Sequence, residues 1–454
     1  MMEFLQHLFA FIFALGILVT FHEFGHFWVA QKCDVKILRF SVGFGKPLWS
    51  RRIGKDQFEL VVAALPLGGY VKMLDEREGK VAESELNRAF NRKTLAQRTA
   101  IVLAGPVFNF IFAIVAFWFM FMIGLTGLKP VVGEVEQGSI AYQAGLNEGV
   151  EIIAVDSRET KTWTMVVDGL IGKIIDAGKV DIKVRDGSVV KVLTINLEGL
   201  SIDDLAEQGL LNKIGITPKT FKVPAIIGDV HSGLPADQSG LIVGDLIVSA
   251  NGEEIGDWVQ WVKYVQARPK QTMSIEIKRG DEYLIIELTP DEKTRDDESV
   301  IGFIGAANQP VQPLEEIFAK ESYSLIPAFI RGVEKTWDMS WLTLRMLGKM
   351  ITGQASVKNL SGPISIAQYA GDSAQSGPAA FLWFLGIVSV SLGVLNLLPV
   401  PLLDGGHLMY YAVEFIKGSE VSESTQIIGQ QIGFTLLLGL MILVFYNDIA
   451  RLMG

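Results

Sequence analysis

His22, Glu23 and His26 stand in "LVTFHEFGHFWVA" (18–30), a stretch otherwise as apolar as a membrane span. In H-E-x-x-H the two histidines, four residues apart, share one helix face and bind zinc, and the adjacent glutamate serves as general base. On a soluble helix this pattern is more often solvated surface than a metal site. Within a span that explanation fails, because Phe24, Phe27 and Trp28 around it require lipid or protein. Placing an ionisable group at the bilayer centre costs about 3 kcal/mol or more, so three together imply a shared partner. A metal ion is the partner expected; a buried structural cluster is the alternative.

Catalytic zinc takes three protein ligands and keeps one position open for water. Of the other histidines, His7 lies about four turns along the same helix and cannot reach. His231 falls in a distant polar region. "NLLPVPLLDGGH" (396–407) remains, where Asp404 and His407 compete. At about 1.5 Å per residue, His22 is about 25 Å inward from the outer end of its span and Asp404 about 35 Å along its own, if helical. Pro399 and Pro401 break that second path, and both groups still fall toward the inner side. Asp404 precedes two glycines that permit close backbone approach, whereas His407 lies beyond them near water. Asp404 is the expected third ligand.

The elements that must hold these residues begin with four apolar stretches, roughly 5–29, 97–125, 381–402 and 427–446, each long enough to cross a bilayer. With 454 residues and 49% hydrophobic composition, the chain is expected to be a polytopic α-helical membrane protein of about four transmembrane helices carrying sizeable polar domains. The first stretch lacks a basic n-region, has Glu3 there, and is too long for a cleaved signal peptide. The net charge of −10 and the lack of a basic block argue against nucleic acid as a partner. The single cysteine, Cys33, excludes an internal disulfide and reads as packing. Lys and Arg crowd the segment between the first two spans, and none precedes the first. The positive-inside rule therefore puts that segment in the cytoplasm and both termini outside.

The extracytoplasmic region contains a repeat: "VVGEVEQGSIAYQAGL" (131–146) matches "IIGDVHSGLPADQSGL" (226–241) at an offset of 95. Each copy ends in a small-residue signature, "IGIT" at 214–217 and "IGFI" at 301–304. A period this long indicates two tandem domains rather than a solenoid. The order of apolar strand, "GLPADQSGL", "GDLIVSANG", helix and hairpin resembles a PDZ domain, with the apolar-Gly-apolar loop at the end, so the copies look circularly permuted. They either capture a peptide terminus or act as spacers and size filters. The expected division is 1–31, first span; 32–96, cytoplasmic loop; 97–127, second span; 128–222 and 223–310, the two PDZ-like domains; and 311–380, amphipathic helices on the outer membrane surface. Then follow 381–404, third span; 405–426, cytoplasmic turn; and 427–454, fourth span and C-terminus.

H-E-x-x-H in the first span, "LDGG" after the third and PDZ-like repeats between the second and third resemble the site-2 protease family. "AGPVFNF" (104–110), "PLGGYVKM" (66–73) and "LSGPISIAQYAG" (360–371) extend the resemblance over the whole chain. It implies Zn2+ held by His22, His26 and Asp404, with Glu23 as catalytic base. It also implies a bacterial inner-membrane location and transmembrane substrates, namely anti-sigma factors or remnant signal peptides. Asn396 is expected to donate to substrate backbone or to the developing oxyanion. Pro399 and, less firmly tied to substrate, Asn109 join it; Asn109 also reads as satisfying backbone freed near Pro106. A substrate helix has its backbone bonded internally and must unwind, and a strand edge replaces the lost bonds. "FELVVAALPLGGYVKM" (58–73) reads as a membrane-associated β-hairpin turning at Pro66–Gly69, making Gly68, Gly69 and Tyr70 candidate substrate contacts. A zinc transporter and a PDZ adaptor with a structural metal are the rival readings.

Overall fold

The computed structural model describes residues 2–175, 178–200, 209–219, 223–294, 299–309 and 317–453. Four helices are long and apolar enough to cross a membrane: Phe4–Lys32, Leu95–Ile123, Pro378–Leu397 and Glu423–Arg451. The second starts on a capping box, in which the Thr94 side chain and Gln97 satisfy each other's backbone amides. The third ends at Leu397, short of the expected residue 404. Leu398 precedes Pro399 and is extended (φ −64°, ψ 143°), as the proline ring forces on its predecessor. The segment expected to be a turn is instead mostly a helix, Asp404–Lys417, closed by Gly418 in the left-handed conformation.

The first three spans share a core with the helix Pro363–Gln375, built from Ala14, Leu18, Phe112, Ala116, Ala370 and Phe384. The fourth span attaches near its end. There the buried Asp448 carboxylate accepts from the Gly362, Ile364 and Ser365 amides and the Ser365 hydroxyl. That one carboxylate satisfies the orphan donors at the start of Pro363–Gln375.

Of residues 311–380, expected as amphipathic helices on the outer membrane surface, the first six, 311–316, lie outside the described residues. Helix Leu325–Ile351 has the expected amphipathic stripe, and Ala328, Gly332 and Thr336 on it are buried. Its small residues face protein, where Gly332 meets the backbone of Ile114 and Trp118 and the Trp118 indole donates to the Leu325 carbonyl at 2.9 Å, while its large apolar side chains, among them Ile326, Ile330, Trp337 and Ile351, are exposed. Gly371 lies against the His7 ring of the first span.

The segment after the first span also differs from expectation. Phe58–Met73 does not fold on itself; it pairs antiparallel with Ile37–Ile53. Each long strand breaks at glycines, Gly43 and Gly45 (φ +95° and +87°) in one and Gly68 (φ +156°) in the other. Residues 39–42 pair on one side with 69–72 and on the other with 59–62, which pair in turn with 49–52. The result is a four-stranded sheet with 47–53 at one edge and 69–73 at the other. It packs on the end of the first span through Phe27, Ala30, Ile37 and Phe58.

Between the second span and Leu325–Ile351 the chain forms two domains, each with its own core and four-stranded sheet. Val132–Val135, Glu151–Val155 and the helix starting at Trp163 have counterparts at Ile227–Val230, Leu246–Ala250 and Trp258, all at the offset of 95. One expectation fails in register. In the first domain Gly215 accepts from the Glu136 amide; in the second, Gly305 accepts from the His231 amide. The counterpart of "IGIT" is therefore Ile304-Gly305-Ala306, not Ile301-Gly302. In each domain the last strand pairs with the first, Ile216–Pro218 with Val132–Val135 and Ala306–Asn308 with Ile227–Val230. The insertion is closed at its neck, where Leu125–Leu128 pairs antiparallel with Phe318–Glu321. Residues 222 and 310, expected domain ends, lie outside the described residues.

Candidate metal centre

One turn of the first span separates His22 from His26, and the second span crosses at that turn. Crossing this close requires glycine on both helices. A Cβ on Gly25 would meet the Ala104 carbonyl carbon at 2.9 Å, and one on Gly105 would meet His22 Cε1 at 2.8 Å and His26 Cε1 at 2.6 Å. The imidazoles stand edge to face, with centroids 4.8 Å apart and planes at 83°.

Asp404 reaches them through the broken segment 398–403. Leu402 there has φ +90°, a conformation costly for a residue with a Cβ and one that redirects the chain. The chain then folds back on itself. A Cβ on Gly405 would meet the Leu397 carbonyl carbon at 2.5 Å, and one on Gly406 would meet the Val400 carbonyl oxygen at 2.6 Å. "DGG" is thus a packing requirement as much as a flexible one. The far end of the Asp404 helix is tied to the second span, where Arg98 donates to Glu414 at 2.6 Å and lies over the Tyr411 ring at 5.2 Å. Burial pushes the Tyr411 phenol up to about 12, so it meets the guanidinium as a neutral ring.

The three side chains converge. The two Nε2 atoms are 3.2 Å apart, and Asp404 Oδ2 is 3.2 Å from His22 Nε2 and 3.5 Å from His26 Nε2. An ion about 2.0 Å from each of three tetrahedrally arranged donors requires those donors to be about 3.3 Å apart. The observed spacings fit zinc. The protonation pattern fits as well. His26 Nδ1 is 2.8 Å from the Ile101 carbonyl, so it carries the proton and Nε2 keeps its lone pair. Asp404 Oδ2 is buried and receives no hydrogen bond. A carboxylate oxygen facing imidazole lone pairs at this range calls for a cation. Among the described residues this is the one group of three or more potential metal donors.

The remaining expected residues are placed as follows. His407 is exposed, one turn past Asp404 and packed edge-on to Tyr410 at 6.5 Å, outside the donor group. Glu23 faces the edge strand of the sheet, where a Cβ on Gly69 would meet its Cγ at 3.0 Å. Tyr70 stacks with Phe44 at 6.2 Å and receives a hydrogen bond from Arg39 at 3.1 Å. Asn396, half-buried, is the penultimate residue of the third span and makes no side-chain hydrogen bond with the described residues. Pro399 is exposed in the broken segment. His7 pairs with Asp372 at 3.4 Å, away from the centre.

Asn109 departs from its expected place among substrate contacts. It is fully buried behind His22, with its side-chain amide 3.1 Å from His22 Nδ1. Its Oδ1 has no partner as the amide is oriented. Amide oxygen and nitrogen are interchangeable in shape, and rotating the group by half a turn lets Oδ1 accept from His22 Nδ1–H. That tautomer frees Nε2 for the ion. Ile101, Gly105 and Asn109, spaced by four residues, form one stripe of the second span facing the histidines. The spacing was available in the sequence, but its destination was not.

A family profile described as "Peptidase family M50" matches residues 10–440. The chain is 44% identical over 453 residues to a regulator of sigma E protease from Salmonella typhi, covering 100% of both chains. The regulator of sigma-E protease of Escherichia coli K12 is 43% identical with the same coverage. A putative zinc metalloprotease from Vibrio cholerae is 40% identical, again across 100% of both. Among solved structures, the PDZ domain of an SdrC-like protein from Listeria monocytogenes is matched over 20% of this chain and 94% of its own, at 20% identity and a TM-score of 0.16.

Proposed function

Because the chain belongs to peptidase family M50 and is a zinc-dependent intramembrane protease, we propose that His22, His26 and Asp404 hold its zinc and that Glu23 is its general base. Membership in a peptidase family displaces the transporter and adaptor readings. The observation that carries the residue assignment is the donor spacing of 3.2, 3.2 and 3.5 Å around one buried point.

When bound there, zinc supplies a Lewis acid that lowers the pKa of a water toward about 7 and polarises a carbonyl. Glu23, one residue from His22, takes the proton of the attacking water on a carboxylate oxygen. It then delivers that proton to the leaving amide nitrogen. The edge strand 69–73, whose Val71 backbone amide donates a hydrogen bond to Glu23, receives the unwound substrate as an added strand, with Gly68, Gly69 and Tyr70 in contact. Asn396 and Pro399, on the link between the third span and Asp404, complete the cleft, and the Asn396 amide donates to substrate.

Asn109 acts through His22 as a positioning residue. Asn109→Leu is expected to weaken zinc binding by about 10–100-fold, the worth of such supporting groups, whereas Asn109→Asp keeps it. Competition with a chromophoric chelator measures both; equal affinity in wild type and Asn109→Leu would remove Asn109 from the site.

The chain is an inner-membrane protein in this reading. The basic sheet and the zinc lie toward the cytoplasm, and the two inserted domains and both termini are periplasmic. The two domains are circularly permuted PDZ domains, a reading supported by the pairing of each last strand with the first. Substrates are single-span proteins, an anti-sigma factor by analogy with the regulators of sigma E protease, and remnant signal peptides. The domains restrict access by size. Leu128 pairs directly with Phe318, so residues between them can be excised and bridged by a short Gly-Ser linker. The excised protein is expected to cut trimmed substrates as before and to cut untrimmed ones as well, compared side by side in cells. A folded, zinc-loaded deletion that still refuses untrimmed substrate places exclusion elsewhere.

A further inference from the structure

The cations of the segment between the first two spans divide into two groups. Seven are paired with carboxylates, as in Lys36–Glu85, Arg39–Glu59, Arg88–Asp56, Arg92–Glu76 and Arg98–Glu414, and among the others Lys32 lies over Trp28 while Lys80 and Lys93 stand singly in the sequence. Lys46, Arg51, Arg52 and Lys55 have no carboxylate partner among the described residues. All four lie in the continuously exposed run 44–55, on or next to the outer strand of the sheet.

An edge strand left in water is commonly protected by lysine and proline, and Pro47 and the four cations alone would suit that purpose. The apolar residues between them do not. Leu48 is 72% exposed, Trp49 49% and Ile53 38%. Cations interleaved with a tryptophan and aliphatic side chains match the chemistry of a bilayer interface, where the ring sits at headgroup level and the cations meet lipid phosphates. The sheet follows directly on the first span, whose last turn already carries Lys32 over the Trp28 ring at 5.7 Å.

We propose that the outer strand, residues 46–55, is a binding surface for anionic phospholipid headgroups that anchors the sheet to the membrane. The strand lies three strand spacings, or about 14 Å, from the edge beside Glu23. That separation keeps it clear of the segment being cut and favours a lipid over the substrate as occupant. Holding one edge at the headgroups fixes the height of the other at the zinc site. The inference depends neither on the zinc ligands nor on which leaflet the sheet faces.

Amide hydrogen exchange of full-length protein in nanodiscs tests it, with phosphatidylcholine alone compared with phosphatidylcholine plus phosphatidylglycerol. Exchange in residues 46–55 is expected to slow about tenfold or more with the anionic lipid, and high salt should reverse the effect. The combined variant Lys46→Gln, Arg51→Gln, Arg52→Gln, Lys55→Gln should lose the difference. Its zinc content and the exchange of strand Glu151–Val155 should stay at wild-type values, reporting intact folding. Equal exchange in the two lipids overturns the proposal. So does protection that follows an added acidic peptide irrespective of lipid, which assigns the surface to a protein partner.

Discussion

Glu23→Gln is expected to lower cleavage of a transmembrane peptide by about 10²–10⁴-fold, the range that a positioned general base contributes. Zinc content should not change. Glutamine keeps the shape of the side chain and leaves both imidazoles, their Nδ1 partners and Asp404 in place, but it cannot accept the proton of the attacking water. The pairing of the two measurements gives the prediction its force. Loss of activity with loss of metal would mean that Glu23 supports the site rather than the chemistry. Cleavage at a rate near wild type would require a different base, and among the described residues Asp404 is the carboxylate that the two histidines contact.

Asp404→Ala is expected to have the largest effect on metal binding, exceeding the about 10–100-fold assigned to supporting groups such as Asn109. It removes the anionic donor of the three-residue group found among the described residues and leaves two neutral imidazoles 3.2 Å apart. His407→Ala should retain zinc, since His407 lies one turn further on and exposed. Metal analysis of the two purified variants distinguishes them. Zinc lost from His407→Ala and kept in Asp404→Ala would reverse the ligand assignment.

The residues that meet in the centre were legible in the sequence because each violates its surroundings. A histidine pair with a glutamate in a lipid-facing stretch, and "DGG" after two prolines, need a reason to be there. The repeat of 95 was legible because two domains of one fold keep their core spacing. Other features depended on partners distant in the chain. The strand Phe58–Met73 has an internal turn signal in Gly68, but whether the chain folds on itself there or bends against another strand is decided by Ile37–Ile53. The second domain contains Ile-Gly twice, at 301–302 and 304–305, and only the bond from the His231 amide to Gly305 selects one. The end of the third span could have been read from Leu398-Pro399, but the apolar run continues to Leu403 and masks it. Asn109 shows the limit most plainly. Its neighbours Pro106 and Phe110 explain a polar residue in a span by local backbone needs, and only the crossing at Gly25 and Gly105 brings it to His22.

The most direct measurement strips zinc from the purified full-length protein, confirms that the fold is retained, and titrates the metal back while cleavage of a model transmembrane peptide is followed. Activity should be absent from the stripped protein and should rise in proportion to bound zinc up to one ion per chain. The Asp404→Ala variant carried through the same titration should recover none at those concentrations. Full cleavage by the zinc-free protein, or recovery in Asp404→Ala equal to wild type, would contradict a single zinc centre built from His22, His26 and Asp404.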